Sequence, residues 1–156
     1  MTQERPAPAV AVATDTDNKP FWDYIRQHEL RVQKCSKCGE IRYPVSPICP
    51  HCLSFESQWV PLSGKGKVAS FIIVHRSRSP LFPPGTSFTA AIIQTAEGIR
   101  MLSNVIDCKP EDVKIGMPVE IVFQDIGPEL TVPRFRPTEG EQEPDTEPDH
   151  NHNKDF

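Results

Sequence analysis

The four cysteines at positions 35, 38, 49 and 52 constrain the fold of this chain more than any other feature of its sequence. They form two C-x-x-C pairs, Cys35-Ser-Lys-Cys38 and Cys49-Pro-His-Cys52, separated by ten residues. This spacing is typical of a zinc ribbon, because each pair lets a tight turn aim two thiolates at one ion. Four sulfur ligands leave no position for water or substrate. We therefore predict a structural zinc ion bound by Cys35, Cys38, Cys49 and Cys52.

Composition narrows the class of protein further. A chain of 156 residues with 17 prolines fits one ordinary domain or two very small ones, without long helices. No apolar run approaches the ~20 residues of a membrane span, and the N-terminus lacks the charged start and apolar stretch of a secretory signal. Five cysteines, four of them in C-x-x-C pairs, suit a reducing compartment. The default expectation is therefore a cytoplasmic protein.

The charge is distributed unevenly along the chain. The formal net charge is −4, but residues 138–156 hold seven acidic residues and one lysine, which leaves about +2 for residues 1–137. A mildly basic body with an acidic tail does not resemble a general nucleic-acid binder. It leaves room for an anionic ligand such as a phosphorylated cofactor.

The pattern divides the chain into four segments: a disordered N-terminus (1–19), a helix with the zinc ribbon (20–62), a barrel (63–137) and a disordered acidic tail (138–156). The helix begins near Pro20. Phe21, Trp22, Ile25 and the stem of Arg26 share one stripe of it, which docks either on the chain's own core or on a partner. The ribbon has almost no apolar core, so metal binding supplies most of its folding free energy. His51 is expected to be an exposed turn residue.

Short strands follow the ribbon, with turn signals between them. The alternation in the first strand places Val68, Ser70, Ile72 and Val74 on one face. Glu97-Gly98 predicts a tight hairpin turn, and Pro133 demands an edge or a bulge. Five strands with one short helical turn in ~75 residues predict an OB-type Greek-key barrel, with a sandwich as the alternative. The predicted strands cover residues 67–75, 88–95, 99–105, 119–123 and 131–135.

Several local sequences carry a resemblance to a known family. Phe21-Trp22 precedes the first cysteine pair, and Tyr43-Pro44 follows it. Ser63-Gly-Lys-Gly66 leads into the first barrel strand, and the segments 100–107 and 115–119 read Arg-Met-Leu-Ser-Asn-Val-Ile-Asp and Ile-Gly-Met-Pro-Val. In this order, across residues 20–137, they resemble the zinc-ribbon plus OB-fold family long known as a domain of unknown function.

The resemblance implies a role as well as a fold. Members of that family are small subunits of thiolase-fold or related enzymes that form or cleave carbon–carbon bonds in acyl-CoA substrates. The larger partner holds the catalytic residues, and the small subunit stabilises the assembly and helps bind the CoA group. For this chain it implies a zinc-binding accessory subunit without catalysis of its own, in a two-plus-two assembly with a thiolase-fold chain. Thiolysis, condensation and retro-aldol cleavage remain equally open.

Candidate residues for that role lie in the barrel. Arg76 and Arg78 end the first strand, where their guanidinium groups could pair with CoA phosphates or simply face solvent. The apolar loop 81–85 either contacts a partner or packs over one barrel end. Arg134 and Arg136 are interpreted as charges that protect an edge strand, with a basic patch as the alternative.

Two other functions are weighed against the accessory subunit. A single-stranded nucleic-acid binder would need exposed aromatics for base stacking, for which four phenylalanines are available: Phe71, Phe82, Phe88 and Phe123. An independent thioesterase would need Cys108 as nucleophile or His75 as base. Cys108, the one cysteine outside the two pairs, is better interpreted as a small buried apolar residue.

Overall fold

A computed structural model describes residues 15–75 and 82–138 of the chain. They form one short helix, eight strands and a 3-10 turn at Pro110–Asp112, which confirms the mainly β fold class. The helix and strands are α1 (Lys19–Arg26), β1 (Arg31–Cys35), β2 (Ile41–Arg42), β3 (Ser57–Pro61), β4 (Lys65–Val74), β5 (Phe88–Thr95), β6 (Arg100–Val105), β7 (Pro118–Asp125) and β8 (Thr131–Pro137). Within these described ranges, no helix is long and apolar enough to cross a membrane.

Helix α1 has the amphipathic stripe that its sequence predicts. Pro20 lies in the first turn, where its missing N–H costs no helical hydrogen bond. Phe21 and Ile25 are buried in the core that the barrel strands also form. Trp22 is half-buried and meets the Phe21 ring edge-on, with 5.3 Å between centroids. Phe21 and Ile25 therefore dock the helix on the chain's own core, which is one of the two predicted alternatives; the other was docking on a partner.

A three-stranded antiparallel sheet, in the order β2-β1-β3, carries the cysteines. The largest buried polar residue of this sheet is Arg42 on β2, which is only 2% exposed. The guanidinium donates to three carbonyl oxygens: Ser46 O at 3.1 Å, Pro47 O at 3.3 Å and Glu56 O at 2.6 Å. A buried charge is tolerated where such partners replace water. Arg42 therefore ties the loop between the cysteine pairs to β3, a role that the sequence did not predict.

Five strands close into a barrel in the order β4-β5-β6-β8-β7. This confirms the OB-type prediction and excludes the sandwich. Strand β5 has the predicted bounds, Phe88–Thr95, and its alternate residues Thr89, Ala91, Ile93 and Thr95 are buried. Ala91 and Ile93 share the hydrophobic core with residues of the four other strands: Val68, Met101, Val105, Val119 and Phe135. The predicted hairpin turn is also present, with Gly98 at a φ of +89°.

The predicted face alternation of β4 is wrong beyond Val68. The register against β5 shifts between Val68, which pairs with Ile93, and Ser70, which pairs with Ile92. An extra residue at such a bulge moves all later side chains to the other face. Val68 is therefore buried while Ile72, predicted to share its face, is 64% exposed, and Phe71 packs on the core instead.

Pro133 lies where its strand is paired on one side, which agrees with the edge position predicted from its missing N–H. It pairs with Phe123 on β7. On its other side, within the described residues, β8 pairs with β6 only at Val105 and Phe135. The Ser103 hydroxyl donates to the Pro133 carbonyl over 2.9 Å. A proline is tolerated here because, within the described residues, β7 is the only strand that pairs with β8 at this position.

The helix and ribbon are attached to the barrel through one continuous core and one polar contact. Leu30, between α1 and β1, is buried with the barrel residues. The His28 ring stacks on Phe123 with 5.3 Å between centroids, and its Nε2 lies 3.1 Å from Asp125 Oδ1. Asp125 also accepts a hydrogen bond from the Thr131 hydroxyl, and these two contacts lower the pKa of its carboxyl. These contacts fix the position of the helix and ribbon beside β7 and β8.

We expect the Ile93→Ala substitution to lower the free energy of unfolding by about 2–5 kcal/mol, because it removes a fully buried side chain from the barrel core. The matched control is Ile72→Ala on the outer face, which should change it by less than about 1 kcal/mol. Urea titrations of the two variants and the parent chain measure both values. A cost for Ile72→Ala equal to that of Ile93→Ala would contradict the register shift in β4.

Candidate metal centre

Two turns of the same geometry present the four cysteines. In the first, Cys35 N–H donates to Glu40 O over 2.8 Å and Gly39 N–H to Cys35 O over 3.0 Å. In the second, Cys49 N–H donates to Ser54 O and Leu53 N–H to Cys49 O, both over 2.9 Å. The fifth residue of each turn has positive φ, +78° at Gly39 and +60° at Leu53. Glycine predicted the first turn, but nothing in the sequence signalled a leucine in this conformation, which strains a side chain.

The four sulfur atoms converge on one point. All four Sγ atoms lie within 4.8 Å of one another. Cys35 Sγ is 3.5 Å from Cys52 Sγ, and Cys38 Sγ is 3.6 Å from Cys49 Sγ. A tetrahedral ion with Zn–S bonds of ~2.3 Å requires sulfurs ~3.8 Å apart, whereas a disulfide requires ~2.05 Å. The donor set therefore fits zinc, and all four cysteines are free thiols.

Backbone amides favour negative charge at this cluster. Hydrogen bonds from the N–H groups of Cys38 and Lys37 lower the pKa of Cys35 to about 6. Those of Cys52 and His51 lower the pKa of Cys49 in the same way. For Cys38 the Glu40 N–H acts in that direction, but burial and the neighbouring thiols outweigh it and raise the pKa to about 12. Four thiolates at this distance repel one another, so a divalent cation is the charge that lets all of them ionise.

The second turn and the residues on either side of it present apolar side chains to solvent. Leu53 and Phe55 are highly exposed, and Ile48 is partly so. His51 is exposed as predicted, between the two ligand candidates of its turn. It makes no contribution to the sulfur cluster beyond its backbone N–H.

Among the described residues, His75 and Cys108 do not form a second centre. Arg76 and Arg78 lie outside the described residues. His75 is exposed, and its Nδ1 lies 3.1 Å from the Ser87 hydroxyl rather than near a thiol. Cys108 packs against the core, and burial together with the carboxylates of Asp112 and Asp107 raises its pKa. A raised pKa leaves little thiolate at neutral pH, which agrees with a packing role rather than a nucleophilic one.

The interpretation of Arg134 as an exposed edge charge is wrong. Its side chain is 4% exposed, and the guanidinium lies over the Phe82 ring, 4.6 Å from the centroid. Phe82 in turn stacks on Phe88 with 3.9 Å between centroids. Phe82 thus packs over the chain's own barrel, whereas Pro83, Pro84 and Gly85 of the same loop are exposed. Burial lowers the pKa of Arg134. Of these two arginines, only Arg136 is exposed, and it pairs with Glu120 on β7 over 2.7 Å.

The fold and the cysteine cluster define a zinc ribbon joined to an OB barrel, and comparison with known families gives this class its name. Residues 22–57 match the model described as "ChsH2, rubredoxin-like zinc ribbon domain". Residues 59–124 match the one described as "ChsH2, C-terminal OB-fold domain". The chain therefore belongs to the ChsH2 family, also known as DUF35, as its sequence predicts.

Three curated relatives show the range of this family. A protein named probable enoyl-CoA hydratase alpha subunit, from Thermomonospora curvata, is 35% identical over 89% of this chain, but the match spans only 42% of that protein. A DUF35 domain-containing scaffold protein from Methanocaldococcus jannaschii is 39% identical over 67% of this chain and 75% of that protein. The benzoylsuccinyl-CoA thiolase subunit BbsA of Geobacter metallireducens is 30% identical over 49% of each chain.

One solved structure has the same architecture over most of the chain. It is named Ltp2-ChsH2(DUF35) aldolase, and the matching chain is 35% identical with a TM-score of 0.77. The similarity covers 81% of this chain and 98% of that one. The helix, ribbon and barrel described above are therefore an arrangement that this solved structure shares.

We expect Cys35→Ser or Cys49→Ser to abolish zinc binding and unfold the ribbon, because the small sheet has little apolar core to replace the metal. The barrel, with its own core, should remain partly folded. The measurements are zinc content per chain by mass spectrometry and amide resonances of the ribbon and barrel by NMR. Cys108→Ser is the matched control and should retain one zinc per chain. A Cys35→Ser protein that binds zinc with unchanged thermal stability would show that the cluster is not a metal centre.

Proposed function

We propose that this chain is a zinc-binding accessory subunit of an enzyme that acts on acyl-CoA thioesters, with a thiolase-fold chain as its catalytic partner. The observation that supports this most directly is the family to which the chain belongs. Its named relatives include a thiolase subunit and a hydratase alpha subunit, and the similar solved structure is named as an aldolase. These names share a CoA substrate or a carbon–carbon bond reaction, and each denotes a multi-chain or multi-component enzyme.

The zinc ion has a structural role in this proposal. Cys35, Cys38, Cys49 and Cys52 would hold it, and a complete sulfur shell offers no open coordination position for a substrate. With an ion bound, the four cysteines would hold the two turns beside β1 and β3, and with them the exposed apolar residues Leu53 and Phe55. A surface fixed in this way suits binding to another protein better than it suits chemistry.

The described residues also fit a subunit that leaves catalysis to its partner. Within residues 15–75 and 82–138, the sulfur cluster is the only group of three or more metal-binding side chains. His75 bonds to Ser87, and the thiol of Cys108 has a raised pKa. Neither side chain has the paired base or activated thiolate that a thioesterase mechanism requires.

A hydratase chain is the second candidate for the partner. It is supported by the identity of 35% to the Thermomonospora curvata protein and of 34% to a hydratase alpha subunit from Mycobacterium tuberculosis. In both cases this chain spans less than half of the relative's length.

The nucleic-acid hypothesis is less well supported. Its four candidate phenylalanines pack on the chain itself: Phe71 and Phe123 against the core, and Phe82 and Phe88 against each other. Base stacking needs aromatic faces that are open to solvent. In the described barrel, contacts within the chain already cover part of each of these four rings.

We expect affinity capture of the full chain from its native cells to recover a thiolase-fold protein in a fixed ratio, identified by mass spectrometry. The isolated chain should show no turnover of acyl-CoA substrates, whereas the co-purified complex should. The control is the Cys49→Ser variant, which should capture less partner because its ribbon is unfolded. Recovery of a hydratase chain instead would select the second candidate, and turnover by the isolated chain would refute the accessory role.

For CoA recognition, we propose that Arg76 and Arg78 contact the CoA phosphates. Guanidinium groups form paired hydrogen bonds to phosphate oxygens. Changing both residues to Ala should raise the KM of the complex for its acyl-CoA substrate by about tenfold, with little change in kcat, if about 1.4 kcal/mol of binding is lost. The control is Arg26→Ala, an exposed arginine of α1. An unchanged KM in the double variant would remove both residues from the CoA site.

A further inference from the structure

The outer side of strands β4, β5 and β6 carries exposed aliphatic side chains. Every second residue of β5 from Thr89 to Thr95 is buried, so the residues between them point out of the barrel. Ile92 is one of these outward residues, and its cross-strand partner on β6 is Leu102, which is 70% exposed. The solvated face of an antiparallel sheet is usually polar. The aliphatic pair therefore marks this face as a candidate contact surface.

Ile72 extends this pair onto β4. Its cross-strand partner is Ala90, two residues before Ile92, so Ile72 and Ile92 are diagonal neighbours about 7–8 Å apart. Ile72 faces outward because of the register shift after Val68. We call Ile72, Ile92 and Leu102 the outer apolar patch. Helix α1 packs against β8 and His28 stacks on β7, on the other side of the barrel, which leaves Ile72 and Leu102 exposed.

Two cations border the outer apolar patch at one end. Lys67 on β4 and Arg100 on β6 both pair with Gln94 on β5, which points outward as well. Both cations are exposed, and neither forms an ion pair with another described residue. The carboxylate of Glu97, in the nearby hairpin turn, accepts the N–H of Ser63 over 2.7 Å instead. The face is thus apolar in the middle and positively charged along one edge.

An apolar centre with a charged rim is the composition of a protein–protein interface. The two cations determine what the opposite surface must carry. A second copy of the same face offers no carboxylate, since the cross-strand rows through Ile72, Ile92 and Gln94 contain no acidic residue. A nucleic-acid strand would supply negative charge, but these rows contain no aromatic ring on which a base could stack. A different protein, with carboxylates at the edge of an apolar surface, complements both the aliphatic side chains and the charges.

From this arrangement we propose that the outer apolar patch is the surface of the barrel on which the catalytic chain docks. That chain places aliphatic side chains on the patch and carboxylates opposite Lys67 and Arg100. The inference rests on the proposed function, which supplies the partner, and adds to it the face of this chain that binds. The apolar contacts give the affinity, whereas the two cations orient the approaching partner, because charges at the rim of an interface affect the association rate more than the affinity.

Binding of the captured catalytic chain to the full-length zinc-loaded chain, measured by surface plasmon resonance, tests this surface. The double change Ile72→Ser and Leu102→Ser should raise the Kd at least about tenfold, because it removes apolar contacts from the centre of the interface. Both side chains are exposed in the free chain, so the variant should keep its zinc and its midpoint in urea. The matched control is Ile115→Ser, an equally exposed isoleucine in the loop before β7, which should change the Kd by less than about twofold.

A second variant tests the two cations. The double change Lys67→Glu and Arg100→Glu should slow association about tenfold at low salt, because it places like charges opposite each other. The difference from the parent chain should shrink at 1 M salt, where the screening length is ~3 Å. The control is Lys109→Glu, which reverses an exposed lysine beyond the opposite end of β6 and should keep the association rate of the parent chain.

The outcomes separate this inference from the proposed function. A parent chain that binds no catalytic chain would refute both. If the parent chain binds and the serine variant has the same Kd, the docking surface alone is overturned. An unchanged association rate in the charge-reversed variant would overturn the acidic partner surface. Sedimentation of the isolated chain covers the remaining occupant: a parent dimer that the serine changes convert to a monomer would place a second copy on this face and overturn the proposal.

Discussion

The convergence of four cysteine sulfurs on one point is the constraint on which the rest of the N-terminal half depends. The sheet around them has one strand of two residues and two of five, too little paired backbone to be stable alone. Two turns of equal hydrogen-bond pattern hold the sulfurs at the spacing that a tetrahedral ion requires. Arg42 adds a protein-based link, since its guanidinium binds carbonyls of the loop that joins the two turns.

The position of the ribbon on the barrel is fixed by a shared core and a surface contact. Phe21, Ile25 and Leu30 share a core with the barrel residues, so the helix joins the two parts. His28 adds a contact on the surface, stacked on Phe123 and bonded to Asp125. A partner that binds the exposed apolar side chains of the ribbon would therefore meet a surface whose position relative to the barrel is already determined.

The sequence alone determined the features that depend on local chemistry. The C-x-x-C spacing predicted the cysteine cluster, the i, i+4 spacing of Phe21 and Ile25 predicted α1, and the largely apolar run from Phe88 predicted β5 with its observed bounds. These predictions succeed because thiolate geometry, helical period and strand composition act over a few residues.

Only the tertiary structure decided features that depend on residues distant in the sequence. The bulge that turns Ile72 outward arises from pairing with β5, and the burial of Arg134 arises from the Phe82 ring and the closed barrel. The burial of Arg42 likewise depends on the carbonyls that the ribbon places around its guanidinium, and the positive φ of Leu53 depends on the hydrogen bonds of the second cysteine turn. Local sequence patterns carry no information on such partners, because the free energy that fixes them comes from contacts formed when separate strands meet.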